Sequence, residues 1–94
     1  MDRKADQDYF DWIRKIQSSD QTDIDKLKEF FGQTTAKIIG FAEKEIELAR
    51  AMQDRETLIK HQIKMETFKG ARDIFARGYQ IVTGKRAWDD KDRR

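Results

Sequence analysis

The chain has 94 residues, 20 Lys+Arg against 18 Asp+Glu, a formal net charge of +2, no proline and no cysteine. That is enough for one small domain with a thin margin of stability, and it excludes disulfides, thiolate metal sites and thiol catalysis. Charged residues make up 40% and hydrophobic residues 37%, a balance that fits long amphipathic helices with wet backs, and no apolar run approaches the roughly twenty residues that span a bilayer.

The opening MDRKADQDYF lacks the apolar core and small-residue cleavage site of a secretory signal, so a cytoplasmic location is expected. The segment DQDYFDWIRKIQ then places Tyr9, Phe10, Trp12, Ile13 and Ile16 on one side of a short helix, with Asp6 as its N-cap. A helix of that length is marginal alone in water, so so rich an aromatic face must dock on something. Residues 18–22, Ser-Ser-Asp-Gln-Thr, compete for backbone hydrogen bonds and read as a loop.

A second helix opens at Thr22, whose hydroxyl can accept from the amide of Asp25. At roughly 100° per residue, Ile24, Leu27, Phe31, Thr34, Ile38, Phe41, Ala42, Ile46, Ala49 and Met52 share one stripe, with Phe30 and Leu48 at its margin. That face is expected to be buried along its length. Residues 53–57 contain neither Gly nor Pro, so a turn and a continuous helix both fit. With a turn, Asp54 caps a third helix that Gly84 ends.

The expected fold is therefore all-α: a long antiparallel hairpin, 22–53 and 55–83, with a short N-terminal helix docked on it, self-associating into a bundle. Residues 1–84 form a single helical domain, and 85–94 form a charged, flexible tail.

The third helix is apolar on two sides. Ile59, Ile63, Ile74 and Ile81 form an aliphatic strip, and Met65, Phe68, Phe75 and Tyr79 an aromatic strip displaced by roughly 120 to 160°. A hairpin buries only one of them, and the other meets the first helix or another copy of the chain. Self-association or partner contact is assigned to Met65, Phe68, Phe75, Tyr79 and Trp88. Trp88, a large aromatic in a charged tail, either anchors a partner or folds back on the hairpin.

A turn centred near Arg55 would set Gly32 level with Gly78 and Gly40 level with Gly70, suggesting close approach by another segment or chain. The same register brings Glu45, inside the apolar stripe, near His61, Lys64 and Arg72, as an internal ion pair.

Chemistry is poorly served. One His, no Cys and no inward cluster of acids provide too few ligands for a metal, and a lone His61 beside Glu45 lacks a second catalytic group. The run from Gly78 to Arg86 resembles a phosphate loop only superficially, with five residues between its glycines, Arg where Ser or Thr is needed, and no preceding strand. No enzyme activity, cofactor, small-molecule substrate or membrane span is expected.

Charge divides the chain. Residues 1–54 carry 9 Lys+Arg and 12 Asp+Glu, a net of −3, whereas 55–94 carry 11 and 6, a net of +5. Opposite halves attract each other in a hairpin, and a basic half can attract polyanions. Lys60, Lys64, Lys69, Arg72, Arg77, Lys85 and Arg86 would serve the second role, although they are spread around the helix rather than aligned. The function expected is a non-catalytic helical interaction module, such as an adaptor, assembly factor, inhibitor or subunit of a larger complex, including those of viruses and mobile elements. It would bind itself and another protein. A nucleic-acid-binding accessory protein using the basic third helix and tail is the alternative.

Overall fold

Local capping chemistry sets the helix ends in the computed structural model, which describes residues 3–88. Helix α1 spans Arg3–Ser18, α2 Asp23–Ala51 and α3 Arg55–Thr83. Thr22 Oγ1 accepts from the amide of Asp25 at 3.3 Å, and Asp23 and Asp25 put negative charge at the positive end of α2. Asp54 accepts from the Thr57 amide at 3.1 Å and from the Thr57 hydroxyl at 2.7 Å. Gly84, at φ 74°, closes α3 with its amide on the Gln80 carbonyl at 2.8 Å. The result is an all-α hairpin of α2 and α3 with α1 against α2, and no strand among the described residues.

The break left open at 53–57 is a turn, placed at 52–54. Asp54 N–H bonds the Ala49 carbonyl at 2.8 Å and Gln53 N–H bonds the Arg50 carbonyl at 3.2 Å, a double closure that ends many helices. Gln53 holds its left-handed position, at φ 57°. Glycine is usual there, because a side chain costs about 1 to 2 kcal/mol in that conformation.

The hairpin is held by a seam of coiled-coil spacing. On α2 the buried residues are Gly32, Thr35, Ile39, Ala42, Ile46 and Ala49, at alternating intervals of three and four. On α3 the buried residues are Arg72 and Tyr79, and together with the half-buried Leu58, His61, Met65, Phe68 and Phe75 they follow the same rhythm. Small residues at four of these six α2 positions, Gly32, Thr35, Ala42 and Ala49, thus face larger ones on α3. This rotates α2 away from the expected stripe, and Leu27, Phe41 and Met52 are exposed.

The register also differs from a turn at Arg55. Phe31 stacks on Phe75 with ring centroids 4.8 Å apart, and Arg72 reaches the Gly32 carbonyl. Gly32 therefore stands near Arg72 rather than Gly78, and the matched glycine levels do not occur. Glu45 is exposed and outside the seam. Arg72 bonds elsewhere, so the ion pair expected for Glu45 is replaced by solvent.

Helix α1 begins at Arg3, which puts Asp6 in its first turn rather than at its cap. Trp12 stacks on Phe30 at 5.5 Å, Lys37 Nζ lies 5.2 Å from the Trp12 ring centroid, and Lys26 Nζ donates to the Gln17 carbonyl at 2.8 Å. The packed chain continues past Gly84, since Ala87 is buried and Trp88 half-buried. The rest of the predicted tail, 89–94, lies outside the described residues.

The three helices form a thin layer, 47 × 36 × 18 Å, its least dimension under two helix diameters. The radius of gyration is 15.9 Å, against about 12 Å for a compact domain of this length. The accessible surface is 7591 Å², against about 5,700 Å² for a compact chain of this mass. Among the described residues no large side chain is exposed by less than 2%.

Two substitutions test this packing. A Cβ on Gly32 would lie 2.6 Å from Trp88 Nε1 and 2.9 Å from its Cε2, whereas one on Gly40 meets nothing within 4 Å. Gly32→Ala should lower stability by about 1 to 3 kcal/mol through overpacking, less the roughly 1 kcal/mol gained in helix propensity, while Gly40→Ala gains up to about 1 kcal/mol. Urea melts should therefore move in opposite directions. At the turn, Gln53→Gly should raise the urea midpoint, adding about 0.5 to 1 kcal/mol by relieving the left-handed side chain.

Candidate functional site

The most constrained cluster lies where α2, α3 and the returning chain meet. Arg72 is 9% exposed, and its Nη1 donates to the Gly32 carbonyl and, at 2.7 Å, to the Thr35 hydroxyl. The Thr35 hydroxyl itself donates to the Phe31 carbonyl at 2.7 Å, so it accepts from arginine while donating along its helix. The indole of Trp88 covers the guanidinium, with Arg72 Cζ 4.3 Å from its centroid, a cation–π contact out of bulk water. Phe75 and Phe31 stack beside the indole at 5.7 and 6.5 Å. The missing side chain of Gly32 is what admits Trp88, so the close approach that glycine implies comes from the chain's own C-terminal segment.

This cluster floors an open groove of about 970 Å³ between α2 and α3. Of the seven basic residues singled out by sequence, Lys69, Arg72, Arg77 and Arg86 line it, joined by Lys28 from α2. Lys60, Lys64 and Lys85 lie outside. Glu29, Glu43 and Asp73 stand among the cations, and Arg72 is spent on the seam. His61 also lies in the seam, its Nδ1 buried without a hydrogen-bond partner. Among the described residues no three His, Cys, Asp or Glu gather as metal ligands, and no helix is long and apolar enough to cross a membrane.

At the open end of the hairpin the Tyr79 hydroxyl donates to the Asp25 carboxylate. That bond, helped by Thr22 and by Lys28 and Lys85 nearby, holds the Asp25 carboxyl below the usual carboxylate range. It also pushes the Tyr79 hydroxyl above its ordinary value. Phe75 and Tyr79 stack at 6.4 Å. Phe75, Tyr79 and Trp88, read from sequence as partner contacts, are thus engaged within the chain, and Met65 and Phe68 sit half-buried in the seam.

The uncovered apolar surface is the other strip. Ile59, Ile63, Ile74 and Ile81 are 48%, 63%, 71% and 78% exposed along the back of α3. With Gly70 they occupy about 60° of arc at roughly 100° per residue, a straight line facing away from α2. Gly70 costs about 1 kcal/mol relative to Ala inside a helix, and among the described residues nothing beyond its own stretch of helix lies within 4 Å of where its Cβ would be. Phe41, Leu48 and Met52 add exposed apolar surface on α2. A narrow two-strip pattern in α3 was visible in the sequence, and Gly32 stood out there as a point of close approach; the seam roles of Thr35 and Arg72 were findable only by their three-four spacing.

The chain matches no known family model, no curated protein and no solved structure.

The Asp25–Tyr79 bond makes stability depend on pH at both ends. Asp25 has a folded value below its unfolded one, so its contribution is complete above about pH 4 and is lost as pH falls through the folded value. Tyr79 has a raised folded value, so its share is present below about pH 10 and is lost above it. Asp25→Asn should flatten the acid side of the stability profile, read as urea midpoints between about pH 2.5 and about pH 6. An unchanged acid slope would show that other carboxylates carry it.

Proposed function

We propose that the chain is a non-catalytic helical interaction module, a cytoplasmic adaptor, assembly factor or subunit, that acts through self-association and contact with another protein. The observation that carries this reading is the line of exposed isoleucines on α3, set on a thin layer that leaves one face of each helix uncovered. Soluble chains seldom leave a contiguous apolar line to water unless another surface covers it. The seam already accounts for the aromatic residues, so the partner surface moves to the aliphatic side.

Nucleic-acid binding is a second reading, supported by the convergence of Lys28, Lys69, Arg77 and Arg86 on one groove. The three interleaved acids weaken the attraction, and Arg72 has its donors turned inward, which leaves fewer cations than the sequence count suggests.

Light scattering at micromolar concentration should find a dimer or larger species, and a clean monomer would remove self-association from the reading. Titration with duplex DNA and single-stranded RNA at low and physiological salt separates the alternative. The expected result is no tight complex. Binding whose salt slope becomes shallower by about 3 in the Lys69→Gln, Arg77→Gln, Arg86→Gln triple variant would favour the nucleic-acid reading instead.

A further inference from the structure

The exposed line on α3 is nearly symmetric about one residue. Ile59 and Ile81 stand eleven positions either side of Gly70, and Ile63 and Ile74 fall between them on the same line. We propose that α3 packs antiparallel against α3 of a second copy, with the two-fold axis passing at Gly70. This rests on the self-association proposed above and adds its face and orientation.

Under that symmetry Gly70 meets Gly70 of the second copy, and Ile59 of each chain stands level with Ile81 of the other. The open space over Gly70 lets the two backbones approach closely at the centre. Because the line stays within about 60° of arc over about 33 Å, two straight helices can use its whole length.

Charge selects the same arrangement. Glu66 and Arg77 flank the line on one side, the acid before Gly70 and the base after it, with Asp73 further round the same flank. An antiparallel two-fold keeps that flank together and brings Glu66 of each copy within one helical turn of Arg77 of the other, twice by symmetry. The helix dipoles then also oppose. The near-symmetry of the line and the two Glu66–Arg77 pairs favour a second copy over an unrelated helix. Area permits it, since the 7591 Å² exposed exceeds the compact value by about 1,900 Å², and a standard interface takes roughly 800 Å² from each partner.

The chain has no cysteine, so introduced thiols report contacts without background. Gly70→Cys should cross-link to itself under mild oxidation. Ile59→Cys and Ile81→Cys should each stay uncross-linked alone and form a mixed disulfide when combined. The Ile63→Asp, Ile74→Asp variant, with helicity checked by circular dichroism, should raise the dimer dissociation constant by at least about a hundredfold. Self-cross-linking of Ile59→Cys would mean parallel packing and overturn the proposal. A dimer that forms none of these disulfides and survives both aspartates would also overturn it, while leaving self-association through another face intact. A monomer at every micromolar concentration would remove both. The cysteine pattern decides the orientation even where the aspartate variant loses helicity.

Discussion

A guanidinium taken out of water must find acceptors that do not move, and Arg72 finds them on the opposite helix. Two of its bonds reach a main-chain carbonyl at Gly32 and a hydroxyl at Thr35 one turn on, both fixed by the geometry of α2. Sliding α3 by one residue would strip the charge of both, whereas aliphatic contacts would tolerate the slip. The arginine therefore supplies what a small apolar seam lacks, a single register. Trp88 completes the arrangement from above by covering the cation, and Gly32 makes room for it. The turn at 52–54, the stacking of Phe31 on Phe75 and the meeting of Tyr79 with Asp25 are then consistent with one alignment.

Helix ends were legible because caps are local chemistry. Thr22, Asp54 and Gly84 each act within a few residues of themselves, so their roles could be read without knowing the fold. The face of α2 was legible from hydrophobicity only in part: Ala42, Ile46 and Ala49 of the expected stripe are buried, but Leu27, Phe41 and Met52 are not. Leu27, Phe41 and Met52 outweigh Gly32, Thr35, Ala42 and Ala49 on any transfer scale, yet the seam needs small residues where the side chains of α3 are large. Spacing alone carried the signal: 32, 35, 39, 42, 46 and 49 alternate by three and four, as do 58, 61, 65, 68, 72, 75 and 79. Arg72 and His61 occupy core positions of that rhythm and hid it from an apolar count. The turn was expected between the two long helices but not pinned to its residues, since Gln53 stands where glycine would have announced it.

The division of side chains between inside and outside bears on function. Ile39 and Ile46 are the only buried isoleucines among the described residues, while four stand exposed in line on α3. Isoleucine has lower helix propensity than leucine, lysine or glutamate, because its branched carbon loses rotamer freedom against the preceding turn. At a wet helical position it therefore brings neither propensity nor solvation. Four such residues on one narrow arc, with an unfilled glycine between them, oppose what stability of the isolated chain would select.

The two proposed surfaces are not independent, because Arg77 belongs to both. It lines the groove with Lys28, Lys69 and Arg86, and it also flanks the isoleucine line on the side that carries Glu66. Pairing with Glu66 of a second copy would draw its guanidinium toward the outer face of α3 and leave the groove with one fewer cation beside Glu29, Glu43 and Asp73. An assembled chain would then attract phosphate less than a separated one. By linkage, a polyanion held in the groove would oppose assembly by the same factor. The two readings thus compete through one side chain, and dimer dissociation measured with and without a short polyanion would reveal their coupling; an unchanged constant would place Arg77 on only one of the surfaces.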